Sequence, residues 1–317
     1  MNQHDSATLP LPQVLSTTTT GVWWGLVGVL AFSFTVPFTR IAVDGGLHPV
    51  VIGCGRAVVA AALAGIALAS TRQPAPRGRQ WARLAVVAAG VVVGFPVLTS
   101  FALTTASASH GAVVIALLPA ATAAMAVLRG HERPPTAFWV LAGCGAVVAV
   151  GFASLQGGGL GGLHRSDLLL FGAVLAAAIG YAEGGLLSRE LGAWQTVSWA
   201  LVLAAPAMVV ATGAAAVHQP PDVGVRAWAA FAYLAVVSMY LGFFAWYHGL
   251  AIGPMTQVSQ VQLVQPVLTI SWAALLLGEE LTWSTVLGGA AVIACAGAAV
   301  RLRLGAGRDR TRDVRRR

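Results

Sequence analysis

Two stretches, "ALLPAATAAMAVLRGHE" at residues 116–132 and "LVQPVLTISWAALLLGEE" at residues 263–280, decide how this chain folds. An offset of 147 sets Pro119 on Pro266 and Glu132 on Glu279 without a gap. In the same register Val114, Thr122, Ala126 and Leu128 meet identical residues at Val261, Thr269, Ala273 and Leu275. Farther upstream the offset pairs Gly25 with Gly172, Phe34 with Tyr181 and Leu103 with Leu250. Apolar residues coincide often by chance, so the prolines and glutamates carry the weight. The sequence is a tandem repeat, and each copy must build the same structural unit.

That unit is made for a bilayer. Of 317 residues, 57% are hydrophobic and 9% charged, against about a quarter charged in soluble domains. Apolar runs of about 20 residues, the length that crosses a bilayer as a helix, follow one another with short breaks. They predict spans near residues 22–42, 49–70, 84–104, 110–129 and 137–155, then near 168–188, 195–216, 227–248, 255–277 and 283–302. The expected fold is an all-α membrane protein of ten transmembrane helices, in two five-helix repeats at 22–155 and 168–302. A polar lead at 1–21, a Gly-rich external linker at 156–167 and an Arg-rich tail at 303–317 complete the chain. Because each unit holds an odd number of spans, the second enters the membrane from the opposite side. The repeats are therefore inverted.

Arginine sets the expected orientation, since short cytoplasmic connections collect Lys and Arg. With both termini inside, fifteen arginines of the connections and tail lie inside and two, Arg165 and Arg226, outside. The lead has neither a basic start nor an early apolar core and is not read as a cleaved signal peptide. The net charge of +8 does not point to nucleic acid, because eight arginines from Arg301 onward form a tail and not a face. Anionic lipid is the tail's candidate partner at about 1 kcal/mol per residue, beside the simpler part of fixing topology. Cys54, Cys144 and Cys295 lie singly inside apolar runs and are expected to be free thiols.

The two opening segments are each followed by a last span rich in Gly and Ala. In this they resemble the repeat of the drug/metabolite transporter superfamily, in its ten-helix EamA-like branch. Leu-Gly-Glu at 277–279 fits that family's pattern in the second copy, and the resemblance covers about 22–302. It implies a multi-pass protein of the bacterial inner membrane that moves a small organic solute, a metabolite or drug-like compound, mostly outward. It names no substrate. The competing reading is a membrane-embedded enzyme acting on a lipid or isoprenoid. Such an enzyme needs convergent acids, histidines or a metal site, whereas the connections here are short and chemically bare.

Polar residues inside spans mark the candidate site. The segment "TQVSQVQLVQP" at 256–266 holds Gln257, Gln260, Gln262 and Gln265, and lipid cannot surround it. It is either hydrogen-bonding glue between helices or part of a solute path, with Gln257 and Gln260 the candidate contacts. Tyr240, Phe244 and Tyr247 recur at spacings of four and three, which offers an aromatic face to an organic solute. Tyr247 and His248, nearer the end of the span, fit an interfacial belt better. Phe34 and Tyr181, matched by the repeat, are candidate ring contacts on the first and sixth spans.

Pro119 and Pro266 withhold their N–H groups, which frees the carbonyls of Ile115 and Gln262 and predicts breaks near the membrane middle. Three ionisable side chains lie in the spans, where a charge costs at least about 3 kcal/mol. Arg40 is near an end and can snorkel. Arg56 is a candidate substrate contact. Glu183 is the candidate coupling carboxyl, with a structural, hydrogen-bonded carboxyl as the alternative. It sits between Gly180 and Gly184, a small-residue pattern that lets a neighbouring helix approach closely.

Other signals are discounted. The run GGGLGG at 157–162 lacks the ending of a phosphate loop, the histidines have no metal-ligand spacing, and no nucleophile motif occurs. Neither a cofactor nor a metal is expected.

Overall fold

The structure, a computed structural model, describes residues 11–130, 135–156, 164–252 and 261–316. Ten apolar helices follow in order among these residues: α1 (Thr20–Asp44), α2 (Val51–Ser70), α3 (Arg79–Ala102), α4 (Ala108–Arg129), α5 (Thr136–Phe152), α6 (Arg165–Leu191), α7 (Ala193–His218), α8 (Val225–Ile252), α9 (Val261–Leu277) and α10 (Trp283–Ala298). Seven are long and apolar enough to cross a membrane by themselves, and α5, α9 and α10 are the shorter three. The helix containing α10 runs on to Arg316.

Exchanging each helix for its counterpart five places away reproduces the main helix pairings. Helix α1 packs on α8 as α6 packs on α3, α2 packs on α8 as α7 does on α3, and α4 packs on α6 as α9 does on α1. Helices α2 and α7, α4 and α9, and α5 and α10 pack on their own counterparts. Such a pattern defines a pseudo-two-fold axis between two inverted five-helix repeats, as the odd span count requires.

Lipid is the solvent of the outer surface. Leu175, Val209, Val210 and Leu275 are more than half exposed there, and a water-soluble protein would hide such a band. Since lipid removes most of the hydrophobic drive between helices, close packing has to hold the bundle together, and small residues permit it. A Cβ on Gly180 of α6 would lie 2.8 Å from Cγ1 of Val91 and 3.3 Å from Cα of Gly90, both on α3. A Cβ on Gly184 would lie 2.2 Å from Oη of Tyr247 on α8. The Gly180/Gly184 pair thus admits two neighbours, one at each glycine. On the other side of the axis, a Cβ on Gly249 of α8 would lie 2.8 Å from the backbone nitrogen of Gly25 on α1.

Both proline-bearing helices are interrupted. Helix α4 is helical over Ala108–Ile115, turns at residues 116–117 and resumes at Leu118, one residue before Pro119. Helix α9 opens with a 3₁₀ turn at Val261–Val264 and becomes α-helical at Gln265, one residue before Pro266. A second pair of irregularities has no counterpart in residue type. Helix α3 is π-helical over Ala88–Gly94 and α8 over Leu234–Leu241, within one residue of the repeat offset. Such turns collect at functional positions.

Candidate functional site: a cavity on the pseudo-two-fold axis

Two adjoining chambers, with about 460 and 290 Å³ of unfilled space counting their open mouths, lie between the repeats and share Val36, Leu118 and Gln265 in their walls. Their lining comes in pairs related by the offset of 147. Val91 and Ser238, Pro96 and Phe243, and Leu118 and Gln265 line the larger chamber. Ile115 and Gln262, with Pro119 and Pro266, line the smaller one. Both repeats therefore contribute equivalent positions, which puts the cavity on the axis.

The π turns explain how the lining is presented. Val91 and Pro96 are five residues apart, as are Ser238 and Phe243. Each pair spans the C-terminal end of a π turn, where the slower rotation per residue brings positions five apart nearer to one face than an α-helix does. The chemistry of the pairs is unequal. Where the first repeat places Val91, Ile115 and Leu118, the second places Ser238, Gln262 and Gln265. Arg56 adds one charge from the first repeat, and its offset counterpart is Leu203.

Several of these polar groups lack partners. Arg56 is 1% exposed, yet its Nε and Nη2 make no hydrogen bond, and neither do Nε2 of Gln262 and Oε1 of Gln265. Buried polar atoms are nearly always satisfied, so unpaired groups on a cavity wall are capacity for a ligand or water. Others are used internally. The hydroxyls of Thr35 and Ser238 are 2.7 Å apart, and Thr269 donates to the carbonyl of Ser33 at 2.9 Å.

Polar ties between the repeats close the bundle at both faces. At the face that carries the α2–α3 and α6–α7 connections, the carboxylate of Glu183 accepts from both Arg83 and Arg129, and Arg83 also reaches Glu190. At the opposite face the carboxylate of Glu279 accepts the backbone N–H groups of Ala108 and Ser109 at 2.7 and 2.8 Å. Nε2 of His110 lies 2.6 Å from Oδ1 of Asp167 there. Arg40 donates to the carbonyls of Leu103 and Ala106 at 2.7 and 3.1 Å and pairs with Asp44, so it is anchored by more than water.

Of the residues singled out in the sequence, Arg56 and Tyr181 line the larger chamber, and Pro119 and Pro266 the smaller. Glu183 is 2% exposed and belongs to the ion-paired closure, not to the cavity wall. Three aromatic candidates face elsewhere. The hydroxyl of Tyr240 is 3.1 Å from that of Ser198 on α7. Phe244 packs edge-on against Trp24 and stacks on His248. Phe34 stacks on Trp272 with ring centres 4.5 Å apart. Tyr247, expected in an interfacial belt, is instead fully buried against Gly184. Gln257 and Gln260 lie outside the described residues. Sequence reasoning missed Val91, Ser238 and Phe243, whose signal is the offset of 147 combined with a spacing of five.

The chain is similar to known proteins. The chain is 42% identical over 287 residues to YdeK of Bacillus subtilis strain 168, an uncharacterized transporter, covering 90% of this chain and 99% of the relative. A protein of known crystal structure superposes with a TM-score of 0.61 at 18% identity, over 90% of this chain and 98% of its own, which is a likeness of fold alone. The EamA-like transporter family matches twice, at residues 19–154 and 164–300. Matched once in each of its inverted repeats, the chain belongs to the EamA-like transporter family.

Proposed function

We propose that this membrane transporter is a secondary transporter that carries a small organic solute out of a bacterial cell by alternating access, its two repeats forming units at 22–155 and 168–302. The observation that supports this best is the cavity on the axis between inverted repeats, with separate polar ties between the repeats at each end. Breaking one set while the other holds exposes the cavity to one side only. On this reading both termini are cytoplasmic, because the connections and tail on that side hold fifteen arginines against two. The Glu183 closure is then the inner one. The outward direction follows the family resemblance, and the Arg-rich tail meets anionic lipid.

Glu183 is the coupling residue in this scheme. As a carboxylate it holds two guanidinium groups from the other repeat; as a neutral acid it holds them weakly, and the inner end is free to part. The proposal is tested by uptake of radiolabelled organic solutes into inside-out vesicles. Accumulation that needs the protein and collapses when the pH gradient is removed supports it. Uptake no different from that of vesicles lacking the protein contradicts it.

A further inference from the structure

Among the described residues the cavity wall carries one charge, Arg56, and no group that neutralises it. Arg56 is 1% exposed, and no carboxylate lines either chamber among the described residues. A buried guanidinium with no counter-ion is costly in a bilayer, so its retention calls for an anion that is present part of the time. The two nitrogens without partners, Nε and Nη2, are those on one edge of the guanidinium. Their N–H bonds run parallel and match the two oxygens of a carboxylate. One guanidinium balances a monoanion, whereas a phosphate dianion would leave charge uncompensated. The lack of an acidic partner likewise disfavours an ammonium group, whether on a cation or on a zwitterion. Beyond the arginine the wall is mostly apolar and aromatic, with Phe32, Phe95, Tyr181 and Phe243 around the larger chamber.

We infer that the cavity takes an organic monocarboxylate with an aromatic or apolar body and no amino group, its carboxylate on the Nε/Nη2 edge of Arg56. This names the substrate class of the transporter proposed above and rests on that reading, but it is a statement about binding and is measured as binding. Four probes share one body: 3-phenylpropanoate, 3-phenylpropanamide, 3-phenylpropylammonium and phenylalanine. Binding of each to purified protein in nanodiscs is followed by calorimetry. The anion binds at least about tenfold tighter than the other three, a gap of about 1.4 kcal/mol. In Arg56→Gln that preference falls to within about twofold, and Arg56→Lys restores part of it. Comparable binding of the amide, ammonium or zwitterion overturns the inference, as does failure of the wild type to bind the anion. An anion preference that survives in Arg56→Gln overturns it too. The wild-type ranking stands as a test even where Arg56→Gln does not fold. Flux through liposomes is read separately, so a protein that binds the anion but moves no solute contradicts the transport proposal and leaves the Arg56 site in place.

Discussion

The carboxylate of Glu279 accepts the backbone N–H of Ala108 at 2.7 Å, so a residue that follows α9 in the second repeat caps α4 in the first. The first N–H groups of a helix have no partner inside it, and the positive end of the helix dipole favours a carboxylate there. Glu279→Ala leaves two such groups unmet. Capping losses are worth about 1 to 2 kcal/mol. Thermal melting of the purified protein should fall accordingly, while Glu280→Ala, at an exposed neighbouring position, leaves it unchanged. Equal melting of the two variants would mean that the cap contributes nothing.

Gly90 offers a second test, of packing. A Cβ there would lie 2.4 Å from the carbonyl oxygen of Ala176 and 2.9 Å from Cα of Gly180, both backbone atoms that cannot turn aside. Overpacking of this kind costs about 1 to 3 kcal/mol, so Gly90→Ala lowers the melting temperature or the yield of folded protein. Gly65 meets nothing within 4 Å, and alanine there stabilises its helix by up to about 1 kcal/mol. Identical melting of the two variants would contradict the close approach of α3 and α6.

The fold was legible because its main signals are residue types. Pro119, Pro266, Glu132 and Glu279 mark the repeat, apolar length marks the spans, and each interrupted helix resumes one residue before its proline. Arg56 was legible as a charge where lipid forbids one. The aromatic side of the site was not, because no residue type announces a π turn. Reading α8 at 100° per residue groups Tyr240, Phe244 and Tyr247. With a π turn at Leu234–Leu241, it is Ser238, Met239 and, just beyond the turn, Phe243 that line the cavity, while Tyr240 bonds to Ser198. The partners of Glu183, Arg83 and Arg129, are not legible as such, because in the sequence they read only as arginines that set topology. Pairing across 54 or 100 positions leaves no local pattern in a single sequence.

Glu183→Gln keeps the shape of the side chain and presents a neutral amide to Arg83 and Arg129. In liposomes, solute accumulation driven by a pH gradient should drop to the level of protein-free controls, while exchange of solute at equal pH persists. Accumulation at the wild-type level would make the carboxyl a structural tie and place coupling elsewhere.

A C-terminal reporter that is active only outside the cytoplasm should stay silent when fused after Arg317. The same reporter inserted in the α7–α8 connection should be active. Activity at the C-terminus would invert the assignment of inner and outer closures.

The central claim is that one cavity, on the axis between the repeats, is reached from each side of the membrane in turn. Val91 and Ser238 are equivalent positions on its wall, so cysteines at these two sites, in protein whose Cys54, Cys144 and Cys295 have been replaced, test it directly. In right-side-out and in inside-out vesicles, an impermeant thiol reagent should label both positions. Labelling should require time for the bundle to open, and a cysteine at lipid-facing Leu175 should stay unlabelled. Labelling of Val91→Cys and Ser238→Cys from one side alone, or from neither, would contradict alternating access at this cavity.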